Sequence, residues 1–539
     1  MSKFVKLVVS GGPAREKLLR GINIAADATA STLGPRSRNV AVDKAPGQDV
    51  APTILHDGVS ALRAINLPDP LEDMGVRLLK GAAMKTNEVA GDGTTTSTII
   101  AQALVNEAFK NIAAGANPML LKSEIEEATK KVVEELKKMA KPIKTDEEME
   151  SVASISAADP EIGKLVAEAL KKVGKDGVIS VEDGKSYETT VTYKQGMEID
   201  RGYSTTSPYF QTDGETNEAI IEDPYILLTD RKLNYAHQLV PFLDKFLKET
   251  KSKNIVIFAG EIVEEALQFL VVNKLRGNLH VVAVQSPAFG DRRIDELEDM
   301  AILTGGASAL EDAGRQIEAV DIAELGRADK VVVDRDKAVI LGGKGDKKAI
   351  QKRIEDLREQ IKNANSPYDA DIKEQRLAKL AGGVAVISVG GATEVEIREK
   401  RERVIDAKNA TKAAVEEGIV AGGEIALLKI ANENASWNRG VEGFFESEGG
   451  RILQKALKAP FRILVTNSGL DYAEVREKMA GHKYPVGIDV TDGEVKDLIK
   501  AGVIDPVKVA RSALENASSI ACAILTTETL VTDLVEEKK

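Results

Sequence analysis

"NEVAGDGTTTSTIIAQALVNEA", residues 87–108, has helix-forming residues at both ends and a break in the middle. Gly91–Thr96 place two glycines, an acid and three β-branched hydroxyls in six positions. Glycine inside a helix costs roughly 0.5–1 kcal/mol relative to alanine. The segment therefore reads as a tight loop between two helices. Its glycines let the backbone turn sharply and approach a ligand closely. Thr94, Thr95 and Thr96 open the second helix, so their amides are free at its positive end, a setting that suits phosphate. Asp92 has the chemistry for Mg²⁺, which takes few carboxylates and shares its shell with phosphate oxygens. On these six residues alone a plain glycine-broken junction, capped by threonine, stays open as the other reading.

Outward from this loop the two ends of the chain share one texture and the middle has another. Residues 13–34, 71–90, 97–114 and 120–139 read as alanine-rich helices. Ile125, Val132, Leu136 and Met139 recur at helical spacing among charges, the pattern of an amphipathic helix on a core. Residues 403–432 and 506–530 repeat that texture. In the middle, 225–230, 254–260 and 280–287 are short apolar strands with helical segments near 236–249 and 262–276 between them. Such alternation implies βαβ units and a parallel sheet. Residues 330–343 read as a hairpin, and a long charged helix follows. Thr145 and Glu148 have capping-box spacing, and glycine pairs stand at 382–383 and 390–391; these suggest boundaries. The expected fold is multi-domain α and α/β, with a mainly helical domain built from both chain ends and the α/β part inserted.

The 539 residues suggest about three or four domains. A net charge of -12 argues against nucleic acid as a partner, because phosphate contacts need a basic surface. Cys522 is the single cysteine, so no intrachain disulfide forms; in "SSIACAILTT" it reads as a small core residue. No apolar run approaches the ~18 residues of a membrane span, and the N-terminus lacks the apolar core of a signal peptide. The expectation is a cytoplasmic protein with no membrane partner. P-loop, HExxH, CxxC and GxSxG patterns are all absent from the sequence. Two further stretches are candidates for a site. "ASTLGPRSRNV" (30–40) puts Gly34-Pro35 at a helix stop, and "GIVAGGEIALL" (418–428) puts paired glycines before an apolar helix. Taken alone, the first reads as an ordinary helix stop and the second as close helix packing. Asp406, in a charged helical stretch, reads on its own as a solvated acid.

Taken in order, TLGP, DGVS, GDGTTT, GYSTTSPYF, FGDRR, LAGGVAVI, AAVEEGIVAGG and VIDP make the chain resemble the group I chaperonins, the GroEL type, from about residue 5 to 533. The resemblance implies an equatorial domain (1–138 and 417–539), a small intermediate domain (139–195 and 385–416) and an α/β apical domain (196–384). It implies a homo-oligomer of two stacked seven-membered rings. By motif, Thr32, Leu33, Gly34, Pro35, Asp92, Gly93, Thr94, Thr95 and Thr96 would hold ATP, with Mg²⁺ on Asp92 and K⁺ by Thr32 and Thr95. His56, in place of the usual lysine, would help with K⁺ through its backbone. Gly422 and Gly423 would contact the nucleotide, Asp505 its ribose, and Asp489, Val490 and Thr491 the adenine. Ile155 and Ser156 would line the pocket, and Asp406 would be the catalytic acid that activates water.

In the apical part, Tyr203, Tyr209, Phe210, Val240, Leu243, Leu267, Val271 and Val272 would form an exposed apolar lip for non-native polypeptides and for a co-chaperonin of the GroES type. The same apolar helices read, without the resemblance, as buried on both sides. Glu424 replaces the third glycine of the usual AGGG and places a charge near the nucleotide. The chain also ends in LVTDLVEEKK and not in a Gly-Gly-Met tail. The implied activity is an ATP-driven folding machine. The alternatives are a ring-forming holdase or scaffold with little turnover, and a soluble metabolic kinase, for which no substrate motif is present.

Overall fold

The computed structural model describes the chain except residues 1–5, 44–52, 56, 175–176, 185, 204–205, 214–216, 311–315, 365, 433–444 and 534–539. The chain divides into two compact units. The first is built from both ends, Met1–Glu168 and Val389–Lys539; the second, Ala169–Ser388, is inserted between them.

The first unit is mainly helical. Gly12–Ala30, Pro70–Ala90, Thr94–Ala113, Pro118–Met139 and Val507–Leu525 pack around a core containing Leu18, Val76, Ile100, Leu104, Val132 and Leu514. Gly21 and Gly75 allow the first two helices to touch backbone to backbone. A methyl at Gly21 would lie 1.9 Å from the Glu72 carbonyl oxygen, and one at Gly75 would lie 2.4 Å from that of Leu18. One buried hydroxyl pair joins two of these helices: Thr129 Oγ1 donates to Ser518 Oγ at 3.0 Å. The ends of the unit join as an antiparallel pair, Lys6–Ser10 with Thr529–Asp533, closed by the Lys6–Asp533 and Arg15–Glu528 ion pairs. Asn117 and Asp69 cap the starts of their helices through their side chains. The capping box at Thr145 and Glu148 is present at Asp146–Ala157.

The expected helix at 13–34 stops at Ala30, which leaves the TLGP stretch as loop. The helical texture at 403–432 is likewise interrupted. The Glu394–Glu417 helix ends at Gly418 (φ 83°), and Ile419–Ala421 pairs as a strand with Ile504–Pro506 before Ile425–Ala431 resumes as a helix.

The second unit is α/β. Its main sheet runs His280–Gln285, Asn254–Ala259, Tyr225–Thr229, Gly326–Val333, Ala338–Gly343, Gly196–Ile199. The first three strands are parallel, in register at Ile255↔Val281 and Ile255↔Tyr225. The 326–343 stretch is the expected antiparallel hairpin. Helices Val240–Thr250 and Glu264–Leu275 follow strands of the parallel set. A buried charge cluster fastens Pro367–Gly382: Arg376 donates to Asp299 (2.7 Å) and Asp295 (2.6 Å), while Arg353 also holds Asp299 (2.7 Å). Charge-assisted pairs of this kind satisfy both partners where isolated charges would be costly.

Candidate functional site

The GDGTTT loop is shaped by two left-handed glycines. Gly91 (φ 69°) ends Pro70–Ala90, and Gly93 (φ 80°) precedes Thr94–Ala113. A methyl at Gly91 would meet Asn409 Cβ at 2.3 Å, and one at Gly93 would meet Val509 Cγ1 at 2.7 Å. Only glycine fits both the torsion and the space. No side chain caps the Thr94 helix, so its first amides keep their hydrogen-bonding capacity. Gly58 brings Thr95 close from a third direction, since a methyl there would lie 2.0 Å from Thr95 Oγ1.

Around this helix end the structure gathers most of the residues singled out by sequence. Ser156 Oγ donates to Asp92 Oδ2 at 3.1 Å. The Thr32 and Thr95 hydroxyls share a hydrogen bond of 3.2 Å. Thr96 Oγ1 donates to Glu424 Oε1 at 2.6 Å. The backbone N–H groups of Gly423 and Glu424 donate to the Asp505 carboxylate. A methyl at Gly422 would lie 2.9 Å from Asp505 Oδ1, so this turn is pressed against that side chain.

The TLGP loop joins the same region through residues that sequence reasoning missed. Asn467 Nδ2 donates to the carbonyls of Ala30 (2.9 Å) and Leu33 (3.0 Å). Arg36 donates to the carbonyls of Ser468 (3.1 Å) and Thr491 (2.7 Å) and so ties 32–36 to 489–491. Leu464 packs at Gly34 and Gly423 alike. Asp489 is held by Thr491 and by Lys496 at 2.8 Å. Asp489 and Thr491 line a cleft of ≈ 440 Å³ together with Ser154, Ile155, Gly502 and Val503. Val490 is buried in the neighbouring core, so its side chain does not face that cleft. His56 lies outside the described residues.

The electrostatics are strongly one-sided. Burial, then Asp92, Asp57 and Glu402, hold the Asp406 carboxyl well above the usual carboxylate range. Asp92 is raised by burial, opposed by its bonds from Gly93 and Ser156. Burial and the neighbouring Asp92 push Asp505 up to about 6. Burial and the neighbouring Asp505 push Glu424 up to about 8. Asp57, unnoticed in the sequence, caps Gly58–Ala64 and contributes to the field on both Asp92 and Asp406. Its signal was the Asp-Gly of "DGVS", an N-cap before a short apolar helix.

These residues fit a phosphate chain with a divalent cation. Uncapped amides, glycines that leave no room for a Cβ, and buried carboxyls that raise one another's pKa supply the two kinds of contact needed. Among the described residues, no three His, Cys, Asp or Glu side chains converge into a metal cage of their own. Mg²⁺ needs no such cage when phosphate completes its shell.

In the second unit the expected lip is only partly exposed. Tyr209 is 65% exposed and Val272 40%, and Leu275, not singled out before, is 66%. Val240, Leu267 and Val271 are half-buried. Tyr203, Phe210 and Leu243 are buried in the core, which corrects their assignment to an exposed surface. The physical reason is local. Gln211 Nε2 donates to the Tyr203 hydroxyl (2.6 Å), which itself donates to the Asn217 carbonyl (2.8 Å), and Phe210 turns inward. Lys274 Nζ donates to the carbonyls of Tyr209 (2.8 Å) and Gln211 (2.6 Å), which seats Tyr209 beside the Glu264–Leu275 helix. Cys522 is buried, with its thiol pushed up to about 12 by burial, in keeping with a core residue.

The chain matches the TCP-1/cpn60 chaperonin family over residues 25–534. Its fold is similar to that of the chaperonin gp146 from bacteriophage EL 2 (Pseudomonas aeruginosa), crystallised in the presence of ATP-BeFx. One crystal form aligns with a TM-score of 0.71 at 22% identity, covering 98% of this chain and 100% of that one. The other form gives 0.64 at 22% identity, covering 98% and 99%. No described helix is long and apolar enough to cross a membrane.

Proposed function

The chain belongs to the TCP-1/cpn60 chaperonin family, and from that premise we propose that it is a ring-forming chaperonin that hydrolyses ATP at the Thr94 helix end and couples this to capture and release of non-native polypeptides. The observation that carries the reading is the constellation of uncapped Thr94–Thr96 amides, Asp92 and Asp406 around one glycine-shaped loop. Free amides at a helix N-terminus bind phosphate oxygens. Asp92 is the carboxylate for Mg²⁺, and the Thr32 and Thr95 hydroxyls, already paired, are the ligands available for K⁺. Mg²⁺ supplies charge neutralisation for the phosphates. Asp505 takes a ribose hydroxyl, and the Asp489–Thr491 cleft takes the base.

Asp406 is the general base. It sits on Glu394–Glu417, the helix whose Asn409 abuts Gly91, and it lies close enough to Asp92 to feel that carboxyl's charge. Burial and the neighbouring carboxyls raise its pKa, which makes it a stronger base toward a water proton than an ordinary carboxylate. Ser156, bonded to Asp92, orients that carboxylate.

For the rest of the cycle we adopt the three-part division at 1–138 with 417–539, 139–195 with 385–416, and 196–384, and two stacked seven-membered rings. The polypeptide surface is the exposed remainder of the lip: Tyr209, Val272 and Leu275, flanked by Val240, Leu267 and Val271. An exposed apolar patch is the surface that a chain showing its own core would meet. A GroES-type co-chaperonin would use the same patch.

The test is ATP turnover by the purified protein with Mg²⁺ and K⁺. Asp406→Ala is expected to lower kcat by ~10²–10⁴ while nucleotide still binds, the usual scale for a lost general base. An inert wild type that forms rings would favour the holdase or scaffold reading. The bond from Thr96 to Glu424 is the observation that keeps that second reading alive.

A further inference from the structure

Glu424 occupies a left-handed position, φ 62° and ψ 11°, directly after Gly423 at φ 64°. A non-glycine residue there is strained, and glycine would satisfy the same backbone without cost. The backbone role alone, donation of its N–H to Asp505, needs no side chain. What the glutamate adds is a carboxyl that crosses to the phosphate-binding helix and accepts from Thr96 Oγ1 at 2.6 Å. Asp505 and Thr96 belong to two walls of the site, and Glu424 joins both.

A threonine hydroxyl has one hydrogen to donate. Thr96 stands in the first turn of its helix, where that hydrogen would otherwise serve a phosphate oxygen. Its donation to Glu424 and its donation to a phosphate exclude each other. The second acidic neighbour, Asp92, adds to the negative field on the same carboxyl.

We infer that Glu424 sets the nucleotide affinity of this chain by competing with the bound nucleotide's phosphate for the Thr96 hydroxyl; the inference rests on the nucleotide-site reading above. Glu424 is thus a positioning residue, not a catalytic one. It holds Thr96 in the nucleotide-free protein and has to release it when phosphate arrives.

The experiment is calorimetric measurement of ADP binding, with Mg²⁺, to the full-length wild type and to Glu424→Gly, Glu424→Gln, Thr96→Val and the Thr96→Val/Glu424→Gly pair. Circular dichroism and sizing confirm the folded state of each variant. Glu424→Gly suits the left-handed backbone and is expected to bind ADP roughly tenfold more tightly, the scale of one hydrogen bond to a charged group. Glu424→Gln keeps an amide oxygen where the carboxyl oxygen stood and is expected to stay within about twofold of wild type. With Thr96→Val present, the gain from Glu424→Gly is expected to vanish, because nothing is left to compete for. A wild type that does not bind measurably beside a Glu424→Gly that does would also support the inference.

Equal affinities for wild type and Glu424→Gly would overturn it. So would a gain that survives Thr96→Val, or one that Glu424→Gln reproduces in full, since charge and not hydroxyl capture would then be the cause. If no variant binds, the nucleotide-site reading fails and takes this inference with it.

Discussion

Glu424 and Asp505 keep their protons to higher pH in the folded chain than in the unfolded one, Glu424 to about 8 against 4.5 and Asp505 to about 6 against 3.8. For an acid raised in this way, the unfolded state releases its proton first as pH climbs. Between the two pKa values the folded chain binds more protons, so stability falls with rising pH across that window. Above the folded pKa the loss stays constant. Asp505 acts mainly below pH 6, and Glu424 continues to act from there to about 8. The thermal midpoint of the nucleotide-free protein is therefore expected to fall between pH 6 and 8.5, and Glu424→Gln to fall less over the same interval. Parallel slopes for the two proteins would show that Glu424 does not titrate there. At Gly91 the constraint is steric. Gly91→Ala combines a left-handed torsion with a methyl 2.3 Å from Asn409 Cβ. A loss of ~1–3 kcal/mol in denaturant unfolding, with weakened nucleotide binding, is expected.

At the scale of the element, local pattern carried most of the reading. The helices at Pro70–Ala90, Thr94–Ala113 and Pro118–Met139 lie where the helical texture put them, and the three parallel strands fall on the short apolar runs. Misreadings came where long-range contact overrides local preference. The strand Ile419–Ala421 exists because Ile504–Pro506 lies beside it, and nothing within the segment itself announces that partner. Lys6–Ser10 is a strand for the same reason, paired with the far end of the chain. The site was legible as motifs, but the side chains that fasten them together, Arg36, Asn467 and Asp57, act across hundreds of residues or as caps and left only weak marks. The apolar helix at 264–275 shows the limit most clearly. Phe269, Leu270, Val271 and Val272 stand in a row, a pattern that by itself reads as burial on both sides, and the fold divides them: Leu270 inward, Val272 outward. The glycine contact between Gly12–Ala30 and Pro70–Ala90 yields a prediction at this scale. Gly21→Ala sets a methyl against the Glu72 carbonyl, where backbone and not a flexible side chain would have to move. A destabilisation of ~1–3 kcal/mol is expected from chemical denaturation, with ATP turnover per folded chain unchanged, because neither helix face involved touches the loop.

At the scale of the whole molecule, a chain that leaves one unit, builds another and returns makes a specific demand on the inserted part. Its strands have to pair among themselves, because the flanking segments are committed to a different core. The strand path from His280–Gln285 to Gly196–Ile199 meets that demand: every pairing in it is made by residues between 196 and 343. The core of this unit runs from Met197 to Leu380 and is filled by Phe242, Phe246, Phe258 and the aliphatic strand residues. The Arg376 cluster, which pins the last helix to Asp295 and Asp299, also lies wholly within it. A fragment spanning 196–382 keeps all of these contacts. It is expected to fold alone, with a single cooperative thermal transition and the near-ultraviolet signal of packed tyrosines. It lacks Asp92, Thr94–Thr96 and Asp406, so no ADP binding is expected. Because Tyr209, Val272 and Leu275 stay exposed in it, it is expected to bind a permanently unfolded, apolar-rich polypeptide without nucleotide, and Val272→Glu with Leu275→Glu to abolish that binding while the transition stays sharp. A fragment that remains unfolded would move the boundary outward, toward the three-stranded sheet of Val178–Asp183, Val384–Val389 and Thr190–Lys194. A folded fragment that ignores the polypeptide would separate capture from this surface and return the apolar helix to a purely structural role.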